Sequence, residues 1–237
     1  MMFITKKKPS SLSAEAYRTL RTNIKLYSEE KPLKTIVITS SVRGEGKSTV
    51  TQNLAYTLSQ DGSKVLIIDC NLRNPSMHLE FSLENNVGLT DILSGNCDLE
   101  KAIKNVEESL FLITAGVILD NPSEMLGSDS MKELLDSVSN DFDYIIIDTS
   151  PVLVVSDTLL LATQADAAII VANAKKTSTR VLKQCYGQLI EAKTNVIGTV
   201  LNDCNKAIDN KYYGYYEGDK SKKGKKDKND KKDKKDN

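Results

Sequence analysis

Between residues 34 and 201 the chain alternates short, almost wholly apolar runs with longer stretches that carry an apolar residue every third or fourth position. The runs Val65-Leu66-Ile67-Ile68 and Tyr144-Ile145-Ile146-Ile147 show no polar alternation, as expected of strands buried on both faces. Such runs predict strands at 34–39, 64–69, 110–114, 143–148, 166–172 and 195–201. Helices are expected between them at 47–60, 89–94, 122–139, 156–163 and 177–192, and Gly62 suits the end of the first. Upstream, Tyr17, Leu20, Ile24 and Tyr27 recur at helical spacing and predict a helix over 12–29. Ser11 and Ser13 are its candidate caps, and Pro32 separates it from the first strand. Residues 1–10 read as an irregular arm. Strand–helix alternation of this kind predicts an α/β fold, a mostly parallel central sheet with helices on both faces.

A chain of 237 residues with 40% hydrophobic and 27% charged residues fits one soluble domain with a sizeable core. Its zero net charge is unevenly placed. From Glu217 to Asn237 there are ten Lys against six Asp or Glu and no apolar residue, so this tail cannot offset its ordering entropy and is expected to be disordered. The chain divides accordingly into an arm and helix (1–33), an α/β domain (34–205) and a tail (206–237). No predicted element carries the basic face that nucleic-acid binding would need. Cys70, Cys97, Cys185 and Cys204 are scattered and His78 is the only histidine, which argues against a zinc site or a disulfide framework. Neither a membrane-spanning run nor a signal peptide is expected.

The chemistry concentrates at strand ends. Ser41-Val42-Arg43-Gly44-Glu45-Gly46-Lys47-Ser48 lies between the predicted strand 34–39 and the helix that opens at Lys47. Gly44 and Gly46 let the backbone approach phosphates, and the loop amides and helix N-terminus favour anionic oxygens. Arg43, Gly44, Glu45, Gly46, Lys47, Ser48 and Thr49 therefore form a candidate ATP-binding loop, a variant one with Ser41 where the strict pattern has Gly. Lys47 can reach the β- and γ-phosphates, and Ser48 can ligate Mg²⁺. Asp148 ends an apolar run and suits a Mg²⁺ ligand beside that loop. Asp69 ends the neighbouring run and can contact Mg²⁺ or accept a hydroxyl proton. Arg73 follows within reach of phosphate or of an acidic partner. Asn202, at the end of the last strand, is a candidate adenine contact; Asp157 either lies near the site or caps its helix. His78 reads as a residue that caps or packs near the site.

Taken in order, Ser41–Ser48, Ile67-Ile68-Asp69-Cys70-Asn71-Leu72-Arg73 and Ile145-Ile146-Ile147-Asp148-Thr149-Ser150-Pro151 resemble the Walker A, A′ and B motifs of bacterial tyrosine kinases (BY-kinases) of capsular and exopolysaccharide synthesis, the CpsD/CapB type within the MinD/ParA-like P-loop superfamily. Glu15, Arg18 and Arg21 match that family's E-x-x-R-x-x-R oligomerisation motif, and Gly88–Gly95 and Asn121–Glu124 resemble further family segments. The resemblance implies transfer of the ATP γ-phosphate to a C-terminal tyrosine cluster, here Tyr212, Tyr213, Tyr215 and Tyr216, entering a neighbouring subunit's site in a ring. Lys47, Asp69, Asn71 and Asp148 would be the catalytic set, and Ser48, Asp69 and Asp148 the metal set. It also implies a transmembrane activator of polysaccharide co-polymerase type, a cognate tyrosine phosphatase, and a cytoplasmic protein held at the inner face of the membrane by that activator.

One position departs from the family pattern D-x-D-x-R: residue 71 is Asn, which can hydrogen-bond but cannot take a proton. Two other readings share the motifs. A MinD/ParA-type ATPase would carry a signature Lys where this chain has Val42, and it would lack the tyrosine cluster. A catalytically weak, ATP-binding regulator of a membrane polysaccharide complex is the reading that Asn71 favours.

Overall fold

The apolar runs fold as read from their pattern. The computed structural model describes residues 3–117 and 121–204. In chain order the elements are α1 (Ile4–Lys7), α2 (Leu12–Glu30), β1 (Thr35–Ser40), α3 (Lys47–Ser59), β2 (Val65–Asp69), α4 (Met77–Glu80), α5 (Leu89–Leu93), α6 (Leu99–Ala102), β3 (Ile103–Glu107), β4 (Leu110–Ile113), α7 (Pro122–Leu126), α8 (Asp129–Ser139), β5 (Tyr144–Asp148), α9 (Asp157–Ala162), β6 (Ala167–Asn173), α10 (Thr179–Glu191) and β7 (Val196–Asn202). The strands form one sheet in the order β3-β4-β2-β5-β1-β6-β7. All pairs are parallel except β3 with β4.

Each central strand is buried throughout because both its faces are covered. Ile36, Ile38, Ile67 and Ile146 point to one face, where Leu54 and Leu58 of α3 and Ile24 of α2 meet them. Val37, Leu66, Ile68, Ile145 and Ile147 point to the other, against Leu134, Leu135 and Val138 of α8. Beside this layer, Ile170 of β6 packs on Ala162 of α9 and on Cys185 and Leu189 of α10. Truncating any one of these isoleucines to Ala would cost about 2–5 kcal/mol. The strand ends are thus fixed from both sides, and the loops that leave their C-terminal ends are set on a rigid base.

Three expectations are corrected. Residues 1–10 are not wholly irregular: Ile4–Lys7 is a helical turn, anchored where Phe3 stacks on Tyr56 at 3.9 Å and the Ile4 amide donates to Asn53. The segment 122–139 is two helices, because Gly127 closes α7 and the Ser128 side chain caps α8 by accepting from the Met131 amide. An unexpected strand, β3, adds an antiparallel edge. Of the two candidate caps on α2, Ser11 is the cap, accepting from the Ala14 amide, and Ser13 lies inside the helix. The expected disordered tail and the tyrosine cluster lie outside the described residues.

The three residues of the E-x-x-R-x-x-R motif sit on α2 with different surroundings. Glu15 is exposed and pairs with Arg18 at 2.9 Å, and Arg18 also donates to the Pro9 carbonyl. Arg21 is more covered, donating to the Thr57 carbonyl of α3 and lying 3.6 Å from Asp61. Among the described residues no helix is long and apolar enough to cross a membrane.

Candidate active site

The loop joining β1 to α3 turns tightly because Gly44 and Gly46 take left-handed conformations, φ +78° and +96°. At Gly46 a Cβ would also meet Asn202 Nδ2 at 2.0 Å. The Asn202 amide nitrogen donates to the Glu45 carbonyl at 3.0 Å, so the end of β7 holds the loop directly. Glu45 itself is buried: one carboxylate oxygen accepts from the Val42 amide at 2.9 Å and the other from the Thr177 hydroxyl. Sequence reasoning placed Glu45 in the loop but did not anticipate this brace, since nothing in the spacing links residues 45 and 177. Gly46→Ala is expected to lower nucleotide affinity at least tenfold in calorimetry, because left-handed strain alone costs about 1–3 kcal/mol and the Cβ would displace Asn202. An unchanged affinity would contradict the need for this close approach.

The loop faces two carboxylates. Asp69 and Asp148 end adjacent parallel strands and are direct register partners, on strands about 4.8 Å apart. Both are fully buried. Asp148 accepts from Ser48 Oγ at 2.7 Å and from Thr51 Oγ1 at 3.1 Å. Thr51 was not singled out from sequence, although it sits one helical turn after Ser48 and so shares its face. Asp69 accepts from the amides of Asn71, Ser76 and Met77. Burial and then the neighbouring Asp148 push the Asp69 carboxyl up to about 7, against the pull of those amides. Burial also raises Asp148, opposed by Lys47 and by the Ser48 and Thr51 hydroxyls. Lys47 is lowered by its own burial, although Asp148, Glu45 and Asp69 favour its charge. One ammonium thus faces several buried acids. This is an arrangement short of positive charge, and a hard divalent cation would satisfy it.

The donor set fits such a cation. Two carboxylates and a serine hydroxyl are oxygen ligands, and no cluster of three or more His, Cys, Asp or Glu occurs among the described residues. A metal with so few protein ligands completes its shell with water and substrate phosphates, as Mg²⁺ does. Ser48, Asp69 and Asp148 would hold it.

Around these groups lies a cleft of about 280 Å³. Its polar half includes Arg43, Gly44, Lys47, Ser48, Thr49 and Asn71. Both ends of the Asn71 amide have a partner: its Nδ2 donates to the Asn74 carbonyl at 2.8 Å and its Oδ1 accepts from Ser150 Oγ at 2.9 Å. A carboxylate there would set a negative oxygen against the Asn74 carbonyl, so Asn suits this backbone. Of the two partners open to Arg73 on sequence, the structure gives the acidic one. Its guanidinium grips the buried Asp157 through Nε at 2.8 Å and a terminal nitrogen at 3.1 Å, and Ser123 closes the triangle. Burial pushes Asp157 up, but the Arg73 and Ser123 hydrogen bonds outweigh it and hold the carboxyl below its ordinary value. His78 lies on α4, with Nδ1 buried and without a hydrogen-bond partner among the described residues.

The loop, its acids and their sheet match known proteins. The AAA domain family matches residues 33–203. The chain is 40% identical over 209 residues to tyrosine-protein kinase YwqD of Bacillus subtilis, covering 88% of each. It is 35% identical over 206 residues to tyrosine-protein kinase CpsD of Streptococcus pneumoniae, covering 85% of this chain and 89% of the relative. Among solved structures, the kinase domain of Escherichia coli tyrosine kinase ETK superposes with a TM-score of 0.82 at 31% identity, covering 85% of this chain and 80% of that one. The chimerical protein CapA2B2 gives the same TM-score at 33% identity, over 85% and 89%. A plasmid partition protein from Borrelia burgdorferi shares the fold at a TM-score of 0.60 and 26% identity, over 77% and 87%.

Proposed function

The chain belongs to the bacterial tyrosine-protein kinases and to the AAA domain family, and from that premise we propose that it moves the γ-phosphoryl group of ATP, as the Mg²⁺ complex, to tyrosines of its own C-terminal cluster. The register pair Asp69–Asp148, facing Lys47 and Ser48 across the phosphate-binding loop, is the observation that carries the reading. The loop amides from Arg43 to Thr49 cradle the phosphates, and Lys47 neutralises charge on the β- and γ-oxygens. When bound, Mg²⁺ supplies charge neutralisation at the transferring group. Asp69, at the strand end beside the phosphate-binding loop, serves as the base for the phenol proton. Asn71 contributes hydrogen bonding alone. Asn202, beside the loop, has its carbonyl oxygen to meet the adenine amine.

Acceptors are Tyr212, Tyr213, Tyr215 and Tyr216, presented in trans by a neighbour in a ring whose contacts include Glu15, Arg18 and Arg21. Added phosphate charge then favours release from the ring. In this reading the kinase regulates capsular or exopolysaccharide synthesis. It works at the inner face of the membrane through a transmembrane activator and is reset by a tyrosine phosphatase. The likeness to the tyrosine-protein kinases YwqD and CpsD favours this over a MinD/ParA-type ATPase or a weak regulator. Incubation with Mg-ATP and the activator's cytoplasmic fragment, followed by mapping of phosphotyrosine, tests the reading; phosphate absent from residues 212–216 would refute it.

The ring has its own test. Replacing Arg18 and Arg21 together by Ala is expected to give a smaller particle in light scattering. The intrachain partners of Arg21 make a stability loss of about 1 kcal/mol the accompanying cost. An unchanged particle mass would leave both arginines as intrachain contacts only.

A further inference from the structure

The cleft does not end at its polar half. Pro151, Val154 and Val155 form its other wall, and Val154 is 45% exposed. A phosphate has no use for valine side chains. An aromatic ring has, because it gains by leaving water against them. Val154 and Val155 also line a second hollow, a groove of about 480 Å³ whose other walls include Val152, Leu153, Leu159 and Ala192. The loop that follows Asp148 is thus a ridge with the reacting cleft on one side and an apolar groove on the other. The ridge is firmly placed: the Val152 amide donates to the Ser40 carbonyl at 2.9 Å and the Leu153 amide to the Ser41 carbonyl at 3.2 Å, alongside the phosphate-binding loop. Glu191, exposed at the end of α10, lies on the groove's rim.

Resting on the kinase reading above, we infer that this groove is a second aromatic subsite, which holds one tyrosine of the Tyr212–Tyr216 segment of a second copy while another tyrosine of that segment lies in the cleft. Two observations select this occupant. The groove shares Val154 and Val155 with the cleft, so a chain that crosses this ridge can place one residue on each side of it. The segment Tyr212-Tyr213-Gly214-Tyr215-Tyr216 carries aromatics two, three and four residues apart, with Gly214 free to bend the chain over a ridge. The substrate class is therefore a segment with paired aromatics rather than an isolated tyrosine. Glu191 adds a sign: the groove takes a neutral phenol and repels a phosphorylated one, so a finished tyrosine leaves while unmodified ones rebind.

The test uses the full chain with Ala at Tyr212, Tyr213, Tyr215 and Tyr216, Mg²⁺ and a non-hydrolysable ATP analogue, with labelled peptides of residues 209–219 read by fluorescence anisotropy. A peptide with Tyr215 and Phe at the other three positions should bind about tenfold more tightly than one with Tyr215 and Ala at those positions. Ala192→Phe, which fills the groove, should erase that difference while leaving the Ala peptide unaffected. Should that variant fail to fold, Glu191→Gln carries the same test: phosphotyrosine at position 212 should weaken binding to the parent chain and do so less in the variant. Equal affinities of the Phe and Ala peptides, or an unchanged preference in Ala192→Phe, would overturn the subsite. Phosphate transfer by the unmodified chain is measured separately, so loss of the kinase reading would show there and not in these affinities.

Discussion

Lys47→Met is expected to reduce phosphate transfer by roughly 10²–10³-fold or more, the scale seen when one preorganised electrostatic donor is removed from a reacting centre. Burial sets the size of the effect. Lys47 is almost wholly enclosed at the start of α3, and its ammonium faces Asp148, Glu45 and Asp69. In the variant those acids lose the cation that opposes their burial, so Asp148, which Lys47 now draws down, should hold its proton more strongly. Nucleotide affinity should fall, since the γ-phosphate loses its cation. Circular dichroism should be unchanged, because methionine fills the stem of the side chain and the sheet core is elsewhere. A variant that transfers phosphate at the parental rate would remove the loop from the mechanism.

Asp69→Asn is the second large effect, and it has two readouts. Transfer should fall by about 10²–10⁴-fold, the usual contribution of a positioned base. Stability should change in a pH-dependent way in the metal- and nucleotide-free protein. An unfolded aspartate ionises near 3.9, whereas burial and Asp148 push the folded carboxyl up to about 7. The folded state therefore keeps a proton that the unfolded state releases. That contribution is complete below about pH 4 and is lost as pH rises towards 7, at about 1.4 kcal/mol for each pH unit climbed between the two values. Asn does not titrate, so raising the pH across this window should shift the balance of stability steadily towards the variant. Near pH 5 the variant should be less stable, because Asp69 accepts from three amides and one asparagine oxygen cannot replace both carboxylate oxygens. Urea melts at pH 5 and pH 7.5 measure this. A constant difference would contradict the raised ionisation of Asp69.

Much of this site was legible before the structure, for a physical reason. Strands buried on both faces announce themselves as unbroken apolar runs, and in a parallel sheet their C-terminal ends must lie together. Asp69 and Asp148 could thus be placed beside Lys47 from sequence alone. What was missed lacked such a signal. β3, Ile103-Lys104-Asn105-Val106-Glu107, is a half-covered edge strand with mixed residues, so its pattern resembled a loop. The break between α7 and α8 depends on a glycine and a serine inside an otherwise helical stretch. Phe3 anchors the arm only because Tyr56, far along the chain, offers a ring to stack on. The same holds for Glu45 with Thr177 and for Arg73 with Asp157: residue types can be read from sequence, but pairings across 84 or 132 positions are decided by the fold.

The central claim is that this loop, these two acids and the distant tyrosines form one phosphotransfer system. Intact-mass measurement of the chain after incubation with Mg-ATP and the activator's cytoplasmic fragment addresses it most directly. Stepwise addition of phosphoryl groups, up to four, is expected, and it should disappear when Tyr212, Tyr213, Tyr215 and Tyr216 are replaced by Phe. An unmodified mass under these conditions, or phosphate retained by the four-Phe chain, would contradict it.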